Sequence, residues 1–237
     1  MRAAIIRFPG SNCDRDLAVA FSKTFGESDL SSDNGRSLSN SSVSMVWHKD
    51  TSLPEGTDVI GIPGGFSFGD YLRCGALAAR SPIMNAVARF ADDGGYVIGT
   101  CNGFQVLTES GLLPGTLIRN AGIRFLCMDV ELEVGTTSSA FTCRFEREQV
   151  VRLPIAHLEG NYRTDPDTLT RLRQEDRIAF RYQDNPNGSL ESIAGVLSEN
   201  RRVLGLMPHP ERQVDALTGG TDGRRIFEGI VARLLAS

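Results

Sequence analysis

The sequence predicts an α/β protein: a doubly wound, mostly parallel central sheet with flanking helices and an additional antiparallel portion. Short, almost wholly apolar runs alternate with helical patterns through the first half, as strands covered on both faces by crossover helices do. The stretch from about residue 123 to 207 is dense in strand signals, which points to antiparallel pairing added to the parallel sheet. A strongly periodic helical pattern then closes the chain.

Taken in order, RAAIIRF (2–8) reads as the first strand and 12–24 as the first helix. Residues 26–42, GESDLSSDNGRSLSNSS, carry seven serines and little that is apolar, so they are expected to be a flexible surface insertion within one domain rather than a linker between two. The strand pattern resumes with VSMVWH (43–48) and DVIGIP (58–63). A helix is expected over 80–93, with Pro82 in its first turn, where a missing N–H costs nothing. YVIGT (96–100) is the next strand, and the helix 102–110 follows it and stops before Gly111. VVRLPIAH (150–157), RIAFRYQ (177–183), SIAGVLS (192–198) and VLGLM (203–207) complete the strands. The last helix, 222–235, places Ile226, Phe227, Ile230, Val231, Leu234 and Leu235 at helical spacing. A single domain over 1–237 is the expectation, since α/β domains of roughly 200 to 250 residues are ordinary.

Composition excludes some classes of function. With 41% apolar and 23% charged residues the chain has the balance of a soluble globular protein. A net charge of −4 offers no basic footprint for a phosphate backbone, so nucleic acid is not an expected partner and a small molecule is. No stretch approaches the roughly 18 to 20 apolar residues of a membrane span, and the N-terminal apolar run is too short for a secretory signal. No membrane partner is expected, and the location expected is the cytoplasm. Cysteines at 13, 74, 101, 127 and 143 are odd in number and widely spaced, without a C-x-x-C pair, so reduced thiols and no metal ligands are expected. Neither a G-x-x-x-x-G-K-[ST] nor a G-x-G-x-x-G motif occurs. Nucleotide chemistry, if involved, is expected on another chain, and no cofactor is expected on this one.

The chemistry concentrates at VIGTCNGFQVL, 97–107, where a strand signal runs into Cys101 and then into a helix. Gly99-Thr100-Cys101-Asn102-Gly103 has the G-x-nucleophile-x-G form of a nucleophile elbow, with cysteine in the nucleophile's place. A nucleophile on so sharp a turn occupies strained backbone, and glycines on either side let the strand and helix approach without a Cβ clash. The partial positive charge of a helix N-terminus favours a thiolate there. The amide of Asn102, the residue after the nucleophile, is the expected first donor to an oxyanion. A cysteine is also a common small buried side chain, and the other four, which lack this flanking pattern, read as such.

A thiol nucleophile needs a base, and the chain has three histidines. His48, in VWHKD, reads as a solvated or capping residue; His157, in PIAHLEGN, reads as a residue of the rim with Glu159 as its one nearby carboxylate. His209 stands out, because Met207-Pro208-His209-Pro210-Glu211 follows an apolar strand and two prolines stiffen the turn. Glu211 is placed to accept a hydrogen bond from the ring and fix its tautomer. A Pro-rich surface turn is the plain alternative. Pro63-Gly64-Gly65 ends the strand 58–62 and sets backbone N–H groups toward the crevice where open α/β sheets bind ligands, with Gly65 as the expected second oxyanion donor and Gly64 beside it as part of the substrate site.

Together, PGGFSFGDYLRCGALA, GTCNGFQVL and MPHPE resemble the class I glutamine amidotransferases, whose Cys-His-Glu triad has this chain order. PGSNCDRD, NAGIRFLCMDVELEV, PIAHLEGN and GLMPHPERQVD are similar, within that family, to the glutaminase subunits of purine biosynthesis, and the likeness covers nearly the whole chain apart from the serine-rich insertion. The resemblance implies a flavodoxin-like glutamine amidotransferase fold and glutamine as substrate. It implies Cys101 as nucleophile, His209 as proton carrier oriented by Glu211, Gly65 and Asn102 as oxyanion donors, and Gln105 as a contact to the amino acid portion of glutamine. It further implies a synthetase subunit, to which ammonia passes, and a small accessory subunit as partners. ATP and magnesium are then expected on the synthetase, where formylglycinamide ribonucleotide becomes the amidine. Two other readings keep the same residues: a free-standing cysteine hydrolase on this fold, and a non-enzymatic flavodoxin-like binding module in which Cys101 is inert.

Overall fold

The computed structural model describes residues 1–27, 41–217 and 219–236. Of the insertion expected over 26–42, only the ends fall among these, finishing the first helix and opening the second strand; 28–40 lie outside the described residues.

The first strand, β1 (Arg2–Arg7), leads through Pro9–Cys13 into helix α1 (Asp14–Glu27), and β2 (Ser42–Trp47) and β3 (Val59–Ile62) follow. Helix α2 (Ile83–Asp92), strand β4 (Tyr96–Thr100) and helix α3 (Asn102–Glu109) complete the first half. The second half holds β5 (Thr116–Ile118), β6 (Leu126–Val134), β7 (Val150–His157), β8 (Asn161–Arg163), helix α4 (Pro166–Gln174), β9 (Ile178–Tyr182), β10 (Ile193–Leu197), β11 (Val203–Leu206) and helix α5 (Arg224–Ala236).

One sheet runs β2-β1-β3-β4-β11-β10-β9-β6-β7, and β5 pairs with β8 in a small antiparallel sheet. The pairs β1–β2, β1–β3, β3–β4 and β4–β11 are parallel, whereas β10–β11, β9–β10, β6–β9 and β6–β7 are antiparallel. The mostly parallel sheet with its antiparallel extension is therefore the architecture the sequence predicts.

Alternation along the strands divides the core between the two faces of the sheet, since successive side chains point to opposite sides. Ala3 and Ile5 of β1, Ile98 of β4 and Leu204 and Leu206 of β11 pack with Leu17 and Phe21 of α1 and with Ile226, Phe227 and Ile230 of α5. Ala4 and Ile6, Val97 and Val203 face the other way, against Ile83 and Val87 of α2 and Phe104 and Leu107 of α3. Each such fully buried aliphatic or aromatic side chain contributes roughly 1.5 to 3 kcal/mol.

Helix α4 is missing from the sequence reading. Its signals are a proline at the first turn and Asp165 as N-cap, whose carboxylate accepts a 2.9 Å hydrogen bond from the Thr168 N–H. Its buried side is thin, with Thr168 and Leu172 buried, so the apolar period that marks longer helices is absent. His48 is a second correction: it is 5% exposed rather than solvated, lying edge-on to Trp47 and Phe68 with Nδ1 3.4 Å from the Ser81 hydroxyl. The rings on either side of the strand end enclose it, which its charged sequence neighbours Lys49 and Asp50 do not reveal. No helix among the described residues is long and apolar enough to cross a membrane.

Candidate active site

Strands β3, β4 and β11 are adjacent and parallel, with Ile62 opposite Gly99 and Leu206 opposite Thr100. Their carboxyl ends therefore release the three candidate segments side by side: Pro63-Gly64-Gly65 after β3, Cys101 after β4, and Met207-Pro208-His209 after β11.

Cys101 has φ 50° and ψ −109°, a conformation side chains rarely adopt, and it immediately precedes α3. The flanking glycines are what allow it. A Cβ on Gly103 would stand 2.0 Å from the Ile62 carbonyl oxygen, and one on Gly99 would stand 2.7 Å from the Gly103 carbonyl oxygen. The Cys101 N–H donates to the Leu206 carbonyl at 2.8 Å, tying the elbow to β11, and the thiol donates to the Ala156 carbonyl at 3.6 Å.

His209 and Glu211 are both buried, at 2% and 3% exposure. The His209 ring donates from Nδ1 to Glu211 Oε1 at 2.7 Å, and the Thr100 hydroxyl donates to the same oxygen at 3.2 Å. The backbone N–H of His209 is fixed to the Pro154 carbonyl at 2.9 Å. Burial pushes the His209 pKa down, but the Glu211 carboxylate and hydrogen bonding to the Cys101 thiol outweigh it and hold the imidazole well above its usual range. The imidazolium is thus the favoured form beside the sulfur.

Gly64 separates these groups without obstructing them. A Cβ there would lie 2.7 Å from His209 Cε1 and 3.3 Å from Cys101 Cβ, so a side chain would wedge ring and thiol apart. Ring and sulfur therefore stand on the same side of the sheet, at the same end of neighbouring strands. Gly65, with φ 135°, forms an isolated antiparallel bridge with Ser11, and the pairing uses the flanking Phe66 N–H, which donates to the Gly10 carbonyl at 3.0 Å. The Gly65 amide is left out of that pairing. The Asn102 amide lies in the first turn of α3, where N–H groups have no intrahelical acceptor. The two donors expected from the sequence are thus both uncommitted to secondary structure.

The side chains of Asn102 and Gln105 have other duties. Asn102 Oδ1 accepts from the Ser67 N–H at 3.1 Å, and its Nδ2 donates to Asp70 Oδ1 at 3.1 Å and to Gln105 Oε1 at 2.8 Å. Gln105 Nε2 donates to the Glu159 carbonyl at 2.6 Å. Gln105 thereby latches the 158–160 loop to the elbow helix, and it can reach a glutamine only by exchanging one of these bonds. Nearby, burial and the carboxylates of Asp70 and Glu159 raise the thiol pKa of Cys74 far above the ordinary value, which keeps that sulfur protonated.

His157 sits in the interior rather than on the rim. It is 3% exposed, and its partner is Asn120, with Nδ1 3.2 Å from Oδ1, while Glu159 pairs with Arg119 at 3.6 Å. Burial, then the nearby His209, lowers its pKa to about 4. A histidine depressed in the folded state stabilises the fold above its unfolded pKa and loses that contribution as pH falls. His48, also lowered by burial, adds to the same trend just below pH 6.5, whereas His209 is protonated in both states there and adds no slope. Between about pH 6.5 and 4, His157 should cost up to about 1.4 kcal/mol of stability per pH unit. Urea unfolding of wild type and His157→Asn across that window reads it, with the shallower slope expected in the variant; equal slopes would refute the assignment.

Sequence reasoning also missed Cys13, Ala156 and Asn120. Cys13 lies in the loop before α1, its N–H donating to the Gly64 carbonyl at 3.3 Å and its thiol to Asn12 Oδ1 at 3.3 Å. The PGSNCDRD motif signals the loop; that it meets His209 is a property of the fold alone.

A parallel α/β sheet with a strained cysteine at a strand end, facing a His-Glu pair from the neighbouring strand, is the arrangement of a cysteine-dependent amidotransferase. The chain belongs to the glutamine amidotransferase family: residues 1–221 match the model of the CobB/CobQ-like glutamine amidotransferase domain. It is 62% identical over 231 residues to phosphoribosylformylglycinamidine synthase subunit PurQ of Cereibacter sphaeroides, covering 98% of this chain and 97% of that protein. The same-named subunit of Roseobacter denitrificans is 58% identical over 236 residues, covering all of both chains. Among solved structures, a chain of PurLQS from Thermotoga maritima matches with a TM-score of 0.85 at 40% identity, covering 98% of each chain. The glutaminase domain of Trypanosoma brucei CTPS with bound acivicin shares the fold, with a TM-score of 0.61 at 15% identity, over 98% of this chain and 92% of that one.

Proposed function

We propose that this chain is the glutaminase subunit of phosphoribosylformylglycinamidine synthase, one glutamine amidotransferase domain that releases ammonia from glutamine and passes it to a synthetase partner. Relatives at 62% and 58% identity over essentially the full chain carry that subunit's name, and the similar Thermotoga maritima chain comes from a structure named PurLQS. The observation that carries the chemistry is the convergence of Cys101 and His209 over Gly64, with Glu211 hydrogen-bonded to the far side of the His209 ring.

In this reading the Cys101 sulfur, having passed its proton to His209, attacks the side-chain amide carbon of glutamine. The carbonyl electron pair moves to oxygen, and the amides of Gly65 and Asn102 hold the oxyanion; one such donor is worth roughly 3 to 4 kcal/mol of barrier. His209 returns its proton to the amide nitrogen, the C–N bond breaks, and ammonia leaves with a γ-glutamyl thioester on Cys101. The neutral imidazole, held in one tautomer by Glu211, then takes a proton from water as it adds to the thioester. Collapse returns the sulfur, releases glutamate and restores the imidazolium pair. Gln105 supports the amino acid end of the substrate. ATP, magnesium and formylglycinamide ribonucleotide belong to the synthetase, with a small accessory subunit in the complex, and the cytoplasm is the setting that this pathway implies.

Glutamine labelled with nitrogen-15 at its side-chain amide tests the reading in the reconstituted complex. The label should appear in the formylglycinamidine product, with slow hydrolysis by the chain alone. Label confined to free ammonium, with other amides cleaved equally well, would instead establish a free-standing hydrolase.

A further inference from the structure

Beside the triad, against the same Gly64, lies a second sulfur that the reaction does not use. Cys13 Sγ, a ring nitrogen of His209 and a carboxylate oxygen of Glu211 lie within 4.8 Å of one another, and all three residues are buried. We propose that these three side chains form an inhibitory binding site for a thiophilic divalent cation of the Zn2+ class, which silences the enzyme by occupying its base.

The donor set is one sulfur, one imidazole nitrogen and one carboxylate oxygen, the ligand types that tetrahedral Zn2+ takes, with a fourth position left for water. Ligand atoms around a tetrahedral Zn2+ stand roughly 3.3 to 3.8 Å apart given bonds of about 2.0 to 2.3 Å, so closing the site requires shifts of about 1 Å. Glu211 supplies an independent pointer. Its Oε1 is engaged by His209 and Thr100, but its Oε2 is buried with no hydrogen-bond partner, and a buried carboxylate oxygen of this kind calls for a proton or a cation.

The outer shell is also in place. Arg212 Nη2 donates to Cys13 Sγ at 3.1 Å and Thr100 donates to Glu211, the donors that a ligating thiolate and a ligating carboxylate need. The guanidinium uses one lone pair of the sulfur and leaves others for the ion. Of the three ligands, Glu211 also lines a cavity of about 290 Å³ walled by Arg15, Asp16, Val19, Lys23 and Arg212. Cys101 is not in the cluster, and that separates this site from a simple capture of metal by the nucleophile and its base. Binding displaces the Cys13 thiol proton and any proton on the ligating ring nitrogen, so affinity should climb with pH.

Metal binding is independent of the proposed function; the loss of activity rests on it. Titrating Zn2+ into the full chain at pH 7.5, against a chromophoric chelator, reads binding without any assay of glutaminase. One ion per chain is expected in wild type and in Cys101→Ala, with the affinity unchanged between them. Cys13→Ala should weaken binding by about a hundredfold or more, since even outer-shell partners are worth about 10- to 100-fold. Should the alanine variant misfold, Cys13→Ser keeps the contacts to Asn12 and Arg212 and should show the same loss. Absence of binding in wild type, or binding lost in Cys101→Ala and kept without Cys13, would overturn the site.

Discussion

Replacing Cys101 with alanine will abolish amidine synthesis from glutamine by the reconstituted complex and leave synthesis from added ammonium salts largely intact. The expected loss on glutamine is about a million-fold in kcat, the scale seen when the nucleophile of a catalytic triad is removed. No other described sulfur can take over. Cys74 is held protonated by burial and its neighbouring carboxylates, the Cys13 sulfur is held by Asn12 and Arg212, and neither stands at the start of α3. Alanine is a gentle replacement for the fold, because the thiol's bond to the Ala156 carbonyl is long at 3.6 Å and its other partner is the catalytic His209. The φ of 50° remains strained for alanine as for cysteine, so the change should not collapse the elbow. Ammonium supports the partner's chemistry without the glutaminase, so the two activities should separate. If both fall together while circular dichroism and complex assembly are unchanged, ammonia is not what the subunit delivers.

The nucleophile was legible in the sequence because the elbow writes its requirement into neighbouring positions. Gly99 and Gly103 are demanded by backbone that approaches within a few ångströms of where their side chains would be, and such demands appear as residue types at fixed spacing. His209 and Glu211 were legible for a related reason: the prolines around them announce a stiff turn at the end of an apolar strand. Gly65 was found as a turn residue, but its separation from Ser11's pairing is visible only in the folded loop.

What escaped has no local signature. Cys13 reaches the site only because β1 and β3 are neighbours, so that the loops leaving their carboxyl ends meet. Asn120 holds His157 through a contact spanning 37 residues, and periodicity says nothing about such pairs. The family resemblance implies a substrate contact for Gln105, but the bond of its side-chain amide to the Glu159 carbonyl has no sign in the sequence. Whether a polar side chain on a buried helix face is spoken for depends on the 158–160 loop, which the sequence sets 54 residues away. The charged neighbours of His48 suggest a solvated or capping residue, though the rings of Trp47 and Phe68 enclose it. Spacing rules resolve elements and turns; burial of an individual polar group is decided by packing between distant elements.

Glu211→Gln should lower kcat on glutamine by about 10⁴-fold, the cost of exchanging a triad carboxylate for its amide in a serine protease. The substitution preserves shape, so a cavity cannot explain the loss. Its effect is electrostatic and tautomeric. The carboxylate is the chief influence opposing burial at His209, and without it the imidazole's pKa falls, leaving only the contacts to the Cys101 and Cys13 thiols to oppose desolvation. An amide at this position can also present its NH2 to Nδ1, which turns the ring's remaining proton toward Cys101 and leaves no acceptor for the thiol. Glu211 is not placed to touch glutamine, so KM should change little while kcat falls; the split distinguishes a lost proton carrier from a disordered binding site. Stability adds a second readout with a definite sign. A histidine with a raised folded pKa stabilises the fold below its unfolded pKa and loses that contribution as pH rises through the folded value. Wild type should therefore lose stability as pH is raised above about 6.5 toward the elevated value, and Glu211→Gln should show a smaller decline. A variant that keeps the full alkaline decline, or that loses activity through KM alone, would show that His209 draws its charge and orientation from elsewhere.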